Sequence, residues 1–168
     1  LAIAADETVA SESRVDPHHW ADAVRRRGWL LQQQPGMAQS DGTRLPRTTH
    51  LTITAVTASA VDELSTALRA AADEVRGHPS VDAGAMLAAL PAEVAHALGS
   101  LEPGAAVPST VFASVLEAVG IGPDGSLPAE AAGLTAMIEA LPPALVERAL
   151  IELISSLVDR SESNADAG

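Results

Sequence analysis

Cysteine is absent from this 168-residue chain, and so is lysine. The first absence excludes disulfides and thiolate metal sites, and nothing demands an oxidising compartment. The second leaves no ε-amine for Schiff-base chemistry; all ten basic residues are arginines. Aromatics are nearly missing as well: Trp20, Trp29 and Phe112 make up 2% of the chain. The core must then be aliphatic and alanine-rich, and the chain is poorly equipped to stack on bases or sugar rings. Positive charge is scarce. The formal net charge of −12 argues against nucleic acid and anionic membrane surfaces as partners. No run of about 18 or more uninterrupted apolar residues occurs, so no transmembrane segment is expected.

What is present is enough for one domain or two small units, with 47% hydrophobic residues. The chain starts at Leu1 without a positive leader, and reads as the interior of a longer frame. Residues 1–5, LAIAA, read as a short buried strand, followed by a polar loop to Val15. In "DPHHWADAVRRRG", Asp16 suits an N-cap and Pro17 the first helical position. Trp20, Ala23, Val24 and Arg27 share a helical face, and Gly28 suits the left-handed C′ position. "WLLQQQP" (29–35) reads as a strand and 36–47 as a loop rich in turn residues. "HLTITAV" (50–56) reads as a strand with Leu51, Ile53 and Ala55 on one face and His50, Thr52 and Thr54 on the other. Ser59, with Asp62 in capping-box position, opens a helix whose apolar stripe is Val61, Leu64, Leu68, Ala71 and Val75. Gly77 and Pro79 end it.

After Ser80 only helices are expected, separated by Gly/Pro loops at 99–108 and 120–128. "MLAALPAEVAHAL" (86–98) and "MIEALPPALVERAL" (137–150) each read as a helix that meets a proline and restarts. Their likeness suits a duplicated helical hairpin, although two alanine–leucine helices also look alike by composition alone. A final helix carries Leu145, Leu150, Leu153, Ile154, Leu157 and Val158, and 161–168 reads as a disordered tail. The expected fold class is α+β: a small β-α-β-β-α domain over 1–78 and an all-helical extension over 79–160.

Three words in order carry a family resemblance: Arg27-Gly28-Trp29, Gln34-Pro35-Gly36 and His50-Leu51-Thr52-Ile53-Thr54. Over residues 1–77 the chain resembles the C-terminal small domain of pyridoxal-phosphate enzymes of the aspartate-aminotransferase fold. The likeness is greatest to the sphingosine-1-phosphate lyase and amino-acid decarboxylase branch. The resemblance implies pyridoxal phosphate in a complete enzyme, a large cofactor-binding domain outside this chain, a homodimer and a cytoplasmic setting. It implies no covalent hold on the cofactor here, since the lysine belongs to the large domain. This chain would supply a wall of the substrate cleft and part of the dimer surface. The helical part after Ser80 resembles no family that the residues identify.

Three residues are candidate substrate neighbours. His50 falls where lyase relatives keep histidine, whereas an arginine there would clamp a carboxylate bidentately. That points towards a phosphorylated long-chain amine rather than a free amino acid. Arg44 and Arg47 flank Pro46 and suit an anionic group. The plainer alternatives are a histidine bonded to a neighbouring loop and arginines paired with surface acids. His18 and His19 point about 100° apart on a helix, and His78 and His96 lack companions, so no metal site is expected. The rival reading is a stand-alone α+β binding or interaction module with a helical dimerisation region.

Overall fold

Asp16 starts the element that the sequence specifies most completely. Its carboxylate accepts from the backbone N–H of His18 at 2.9 Å and of His19 at 3.0 Å. Pro17 takes the first position of helix α1 (Pro17–Arg25). Trp20, Ala23 and Val24 are buried on its inner face. Gly28 follows with φ 87°, a left-handed turn that a side chain would strain. The computed structural model describes residues 1–100, 108–118, 120–122, 126, 128–141, 146, 147 and 151.

Strands β1 (Ala2–Ile3), β2 (Gln32–Gln34) and β5 (Thr48–His50) form an antiparallel sheet in the order β1-β5-β2. Ala2 and Gln32 stand opposite His50, and Ile3 and Gln33 opposite Thr49. Paired residues share a face. Thr49, fully buried, donates its hydroxyl to the Pro17 carbonyl at 2.6 Å, so the Ile3–Thr49–Gln33 face meets α1. His50 stands on the opposite face.

The strands are shorter than the sequence suggests. The strand expected to be buried at 1–5 shrinks to two residues at the sheet edge, with Leu1 76% exposed. The strand at 29–35 pairs only over Gln32–Gln34. In the strand expected at 50–56, pairing stops at His50 and Leu51 donates its N–H to the Leu1 carbonyl at 2.9 Å. Ala55–Ala60 then coils into a 3-10 turn. Thr54 and Thr57 cap that turn reciprocally, and a capped turn competes successfully with an unpaired strand. Leu51 is therefore buried while Ile53, expected on the same face, is 59% exposed.

The expected loop at 36–47 instead contains a small hairpin, β3 (Met37–Ala38) paired with β4 (Arg44–Leu45). Asp41 and Gly42 lie in its turn. The Asp41 carboxylate accepts from Thr43 N–H at 2.8 Å, and Gly42 takes φ 85°. An Asp-Gly pair is a hairpin signal as much as a loop signal.

Helix α2 (Val61–Val75) begins from Ala60, without a side-chain cap. The capping box expected at Ser59 and Asp62 forms one turn earlier, at Thr54 and Thr57. Leu64, Ala67, Ala71 and Val75 are its buried stripe; Leu68 is half-buried, and Val61 is exposed. Leu64, Leu68, Ala71 and Val75 pack with Trp20, Val24, Leu31 and Leu51 in one cluster, and Trp20 Nε1 donates to the Leu68 carbonyl at 2.9 Å.

Past Ser80 the described elements are all helical: α3 (Ala83–Ala88), α4 (Ala92–Gly99), α5 (Ser109–Ala118) and α6 (Ala132–Ala140). Pro91 stands at the N-cap of α4, so the helix in 86–98 does stop at a proline and restart. Leu90, Val94, Val111 and Val115 form an aliphatic cluster. The restart after the second proline pair, the final helix and the tail lie outside the described residues, except that 146, 147 and 151 are helical.

The fold is mixed α+β. The chain divides into two units, Leu1–Asp82 with Ala129–Glu139, and Ala83–Pro128 with Ala140–Gly168. The first unit thus takes up a segment that the sequence reading places in the helical extension.

Candidate functional site

Unit 1 carries a cleft of about 480 Å³. Its charged lining comes from Glu7, Asp16, Arg44, Arg47 and Glu139. Asp16 is buried and serves two purposes. One oxygen caps α1; the other accepts from the Ser80 hydroxyl and lies 3.7 Å from an Arg47 nitrogen. Burial by itself would raise the Asp16 pKa. The Ser80 hydroxyl and the N–H groups of His19 and His18 outweigh it and hold the carboxyl below the ordinary range.

Arg47 is half-buried. Its Nε donates to both oxygens of Glu139, at 2.9 and 2.8 Å, and Gly36 N–H donates to one of them at 2.9 Å. The Glu139 side chain is only 6% exposed. Charge-assisted bonds in such a setting are among the stronger polar contacts a protein makes.

The cleft brings Arg44 and Arg47 together and leaves His50 apart. Arg44 projects from β4, exposed. Arg47 already has a carboxylate partner, whereas His50 sits half-buried on the far face of β5. Glu139 and Ser80 are the cleft residues that sequence reasoning missed. Glu139 lies 92 positions from Arg47, and no local spacing could link them.

The remaining candidates have structural partners. His18 Nε2 donates to the Gln34 carbonyl at 3.0 Å, and His19 Nε2 to the Pro79 carbonyl at 3.1 Å. Each carbonyl can only accept, which fixes the hydrogen on Nε2. Arg26 pairs with Glu74 and Glu130, and Arg27 with Glu74. Among the described residues no group of three His, Asp or Glu could hold a metal ion. None of their helices is long and apolar enough to cross a membrane.

The cleft does not fit pyridoxal phosphate by itself. No aromatic side chain stands among its described lining residues to stack on a ring, and the chain has no lysine. Of its two arginines, Arg47 is paired with Glu139 and Arg44 is exposed, so Arg44 is the cation the cleft offers to solvent.

Residues 92–156 match the family model described as "Pyridoxal-dependent enzyme, C-terminal putative HTH domain". No curated protein and no solved structure matches the chain. The match supports a C-terminal region of a pyridoxal-dependent enzyme. It falls on the helical stretch that suggested no family by its residues, and it covers less than half of the chain. That stretch contains eight acidic residues and a single arginine, Arg148. A nucleic-acid-binding helix-turn-helix needs a positive face to meet phosphates, and this stretch has no such supply of charge.

Proposed function

We propose that this chain is the C-terminal portion of a pyridoxal-phosphate-dependent carbon–carbon lyase or decarboxylase of the sphingosine-1-phosphate lyase branch. The observation that carries the reading is the family match over 92–156. The word matches over 1–77 extend it to the small domain. In this reading a large domain supplies the lysine and the ring-binding residues, and the cofactor acts there as electron sink. This chain supplies a wall of the substrate cleft and part of the surface of a cytoplasmic homodimer. Arg44 faces the substrate from this cleft, and His50, outside it on the far face of β5, faces the substrate from the side that meets the large domain. Arg47 belongs to the same wall, with its charge directed to Glu139. Met37 and Leu45, opposite each other on the hairpin and about half exposed, support an apolar contact with the large domain.

The test is kinetic and uses the full-length enzyme. His50→Ala should lower turnover tenfold or more, about 1.4 kcal/mol of transition-state stabilisation, and leave the melting temperature nearly unchanged. Normal turnover with a lowered melting temperature would make His50 a structural residue with no part in substrate contact.

A further inference from the structure

Ala129–Glu139 belongs with unit 1 although the chain reaches it only after passing through 83–128. Three anchors hold it. At its start, the two oxygens of Asp22 accept from Ala131 N–H at 2.9 Å and Ala132 N–H at 3.0 Å. Helix α6 has its first turn satisfied by a side chain of α1, 109 and 110 positions away. In the middle, Thr135 donates its hydroxyl to Gln33 at 3.0 Å. At its end, Glu139 accepts from Gly36 N–H and Arg47. Gln33 links the first two anchors, since its amide also donates to Asp22 at 2.8 Å and to the His18 carbonyl at 3.2 Å. The side chains between the anchors are deeply placed: Ala136 and Met137 are fully buried and Thr135 is 6% exposed.

We propose that Ala129–Glu139 is a clasp that docks on the rest of unit 1 as one cooperative piece. Asp22, 4% exposed, would otherwise hold a carboxylate with two donors missing. Arg47 would lose the carboxylate that fixes its guanidinium in the cleft wall. A helix is stiff, so its two ends dock or leave together. The consequence concerns the family-matched stretch. Its third described helix is committed to Asp22, Gln33, Gly36 and Arg47, so residues 92–156 are not a free-standing helix-turn-helix domain.

Amide hydrogen exchange on the full chain, resolved by residue, tests this. Asp22→Ala removes the anchor at the start of the clasp, and Gly36 N–H reports the anchor at its end. The clasp predicts that Gly36 exchanges about tenfold faster or more in Asp22→Ala, together with Ala131 and Ala132. Amides inside α2 should lose no more protection than the destabilisation of the whole unit accounts for. Loss at Ala131 and Ala132 with Gly36 unchanged would overturn the proposal, because the contacts would then be independent. Should Asp22→Ala also deprotect α2, Glu139→Gln gives the reverse reading. Faster exchange at Ala131 and Ala132 supports the clasp, and unchanged exchange there contradicts it.

Discussion

Unit 1 buries polar groups beside its apolar cluster, whereas unit 2, among the described residues, buries aliphatic ones alone. The buried Asp16, His18, Asp22, Thr49 and Thr135 all lie in unit 1. The buried residues of unit 2 are Leu90, Val94, Val111, Val115 and Ile121. The two kinds of interior act differently. An aliphatic cluster favours collapse and tolerates repacking of similar volume. A buried carboxylate or hydroxyl tolerates few geometries, because a missed hydrogen bond costs its full desolvation. Unit 1 is thus the part built to hold side chains in fixed positions, and the cleft with Arg44 and Arg47 is in that unit. Unit 2 is built as a helical scaffold.

The contrast can be broken at its most polar point. Asp22→Ala removes one of the two acceptors of the Gln33 amide and the acceptors of the Ala131 and Ala132 N–H groups. It should destabilise unit 1 by about 3 kcal/mol or more. Tryptophan emission in a urea titration reads this directly, because Trp20 and Trp29 both lie in unit 1. A loss below about 1 kcal/mol would mean that the buried polar network does not hold the unit together. In unit 2 the corresponding change is Leu90→Ala. Far-UV circular dichroism should show a cost of about 2–3 kcal/mol, the ordinary price of a buried leucine in a site that relaxes. A cost above that of Asp22→Ala would invert the comparison.

Acid should separate the units less strongly. The Asp16 pKa is lower in the folded state than in the unfolded chain. Its contribution is therefore complete above the unfolded value, about 3.9, and is lost as pH falls through the lower folded value. Unit 1 should lose stability over that window by tryptophan emission, and Asp16→Asn should flatten the loss. An unchanged acid limb in Asp16→Asn would show that other carboxylates set it.

Helix α1 was legible in the sequence because its signals are local. Asp16, Pro17 and Gly28 each act within a turn of their own position. The stripe on α2 was legible for the same reason, through Leu64, Ala71 and Val75. The strand at 50–56 was misread because its letters keep alternating after pairing has ended. Thr54 and Thr57 settle the matter by capping each other. At 36–47 the Asp-Gly pair suits a loop and a hairpin turn alike, and only the pairing of Met37–Ala38 with Arg44–Leu45 decides between them. The cleft was the least legible part. Arg44 and Arg47 could be proposed from their flanking loop, but Glu139 comes from a helix that only tertiary structure brings back. Asp22 gave no signal at all, since a mid-helix aspartate reads as surface until its distant N–H partners are known.

The central claim is that this chain serves a pyridoxal-phosphate enzyme without holding the cofactor. Borohydride reduction in the presence of pyridoxal phosphate, followed by peptide mapping, tests it most directly. On the 168-residue chain the account predicts no adduct at any internal residue, labelling of the Leu1 α-amine aside. On the full-length protein it predicts one reduced adduct, on a lysine outside these residues. A stable internal adduct within this chain, or a full-length protein that takes up no cofactor, would contradict the account.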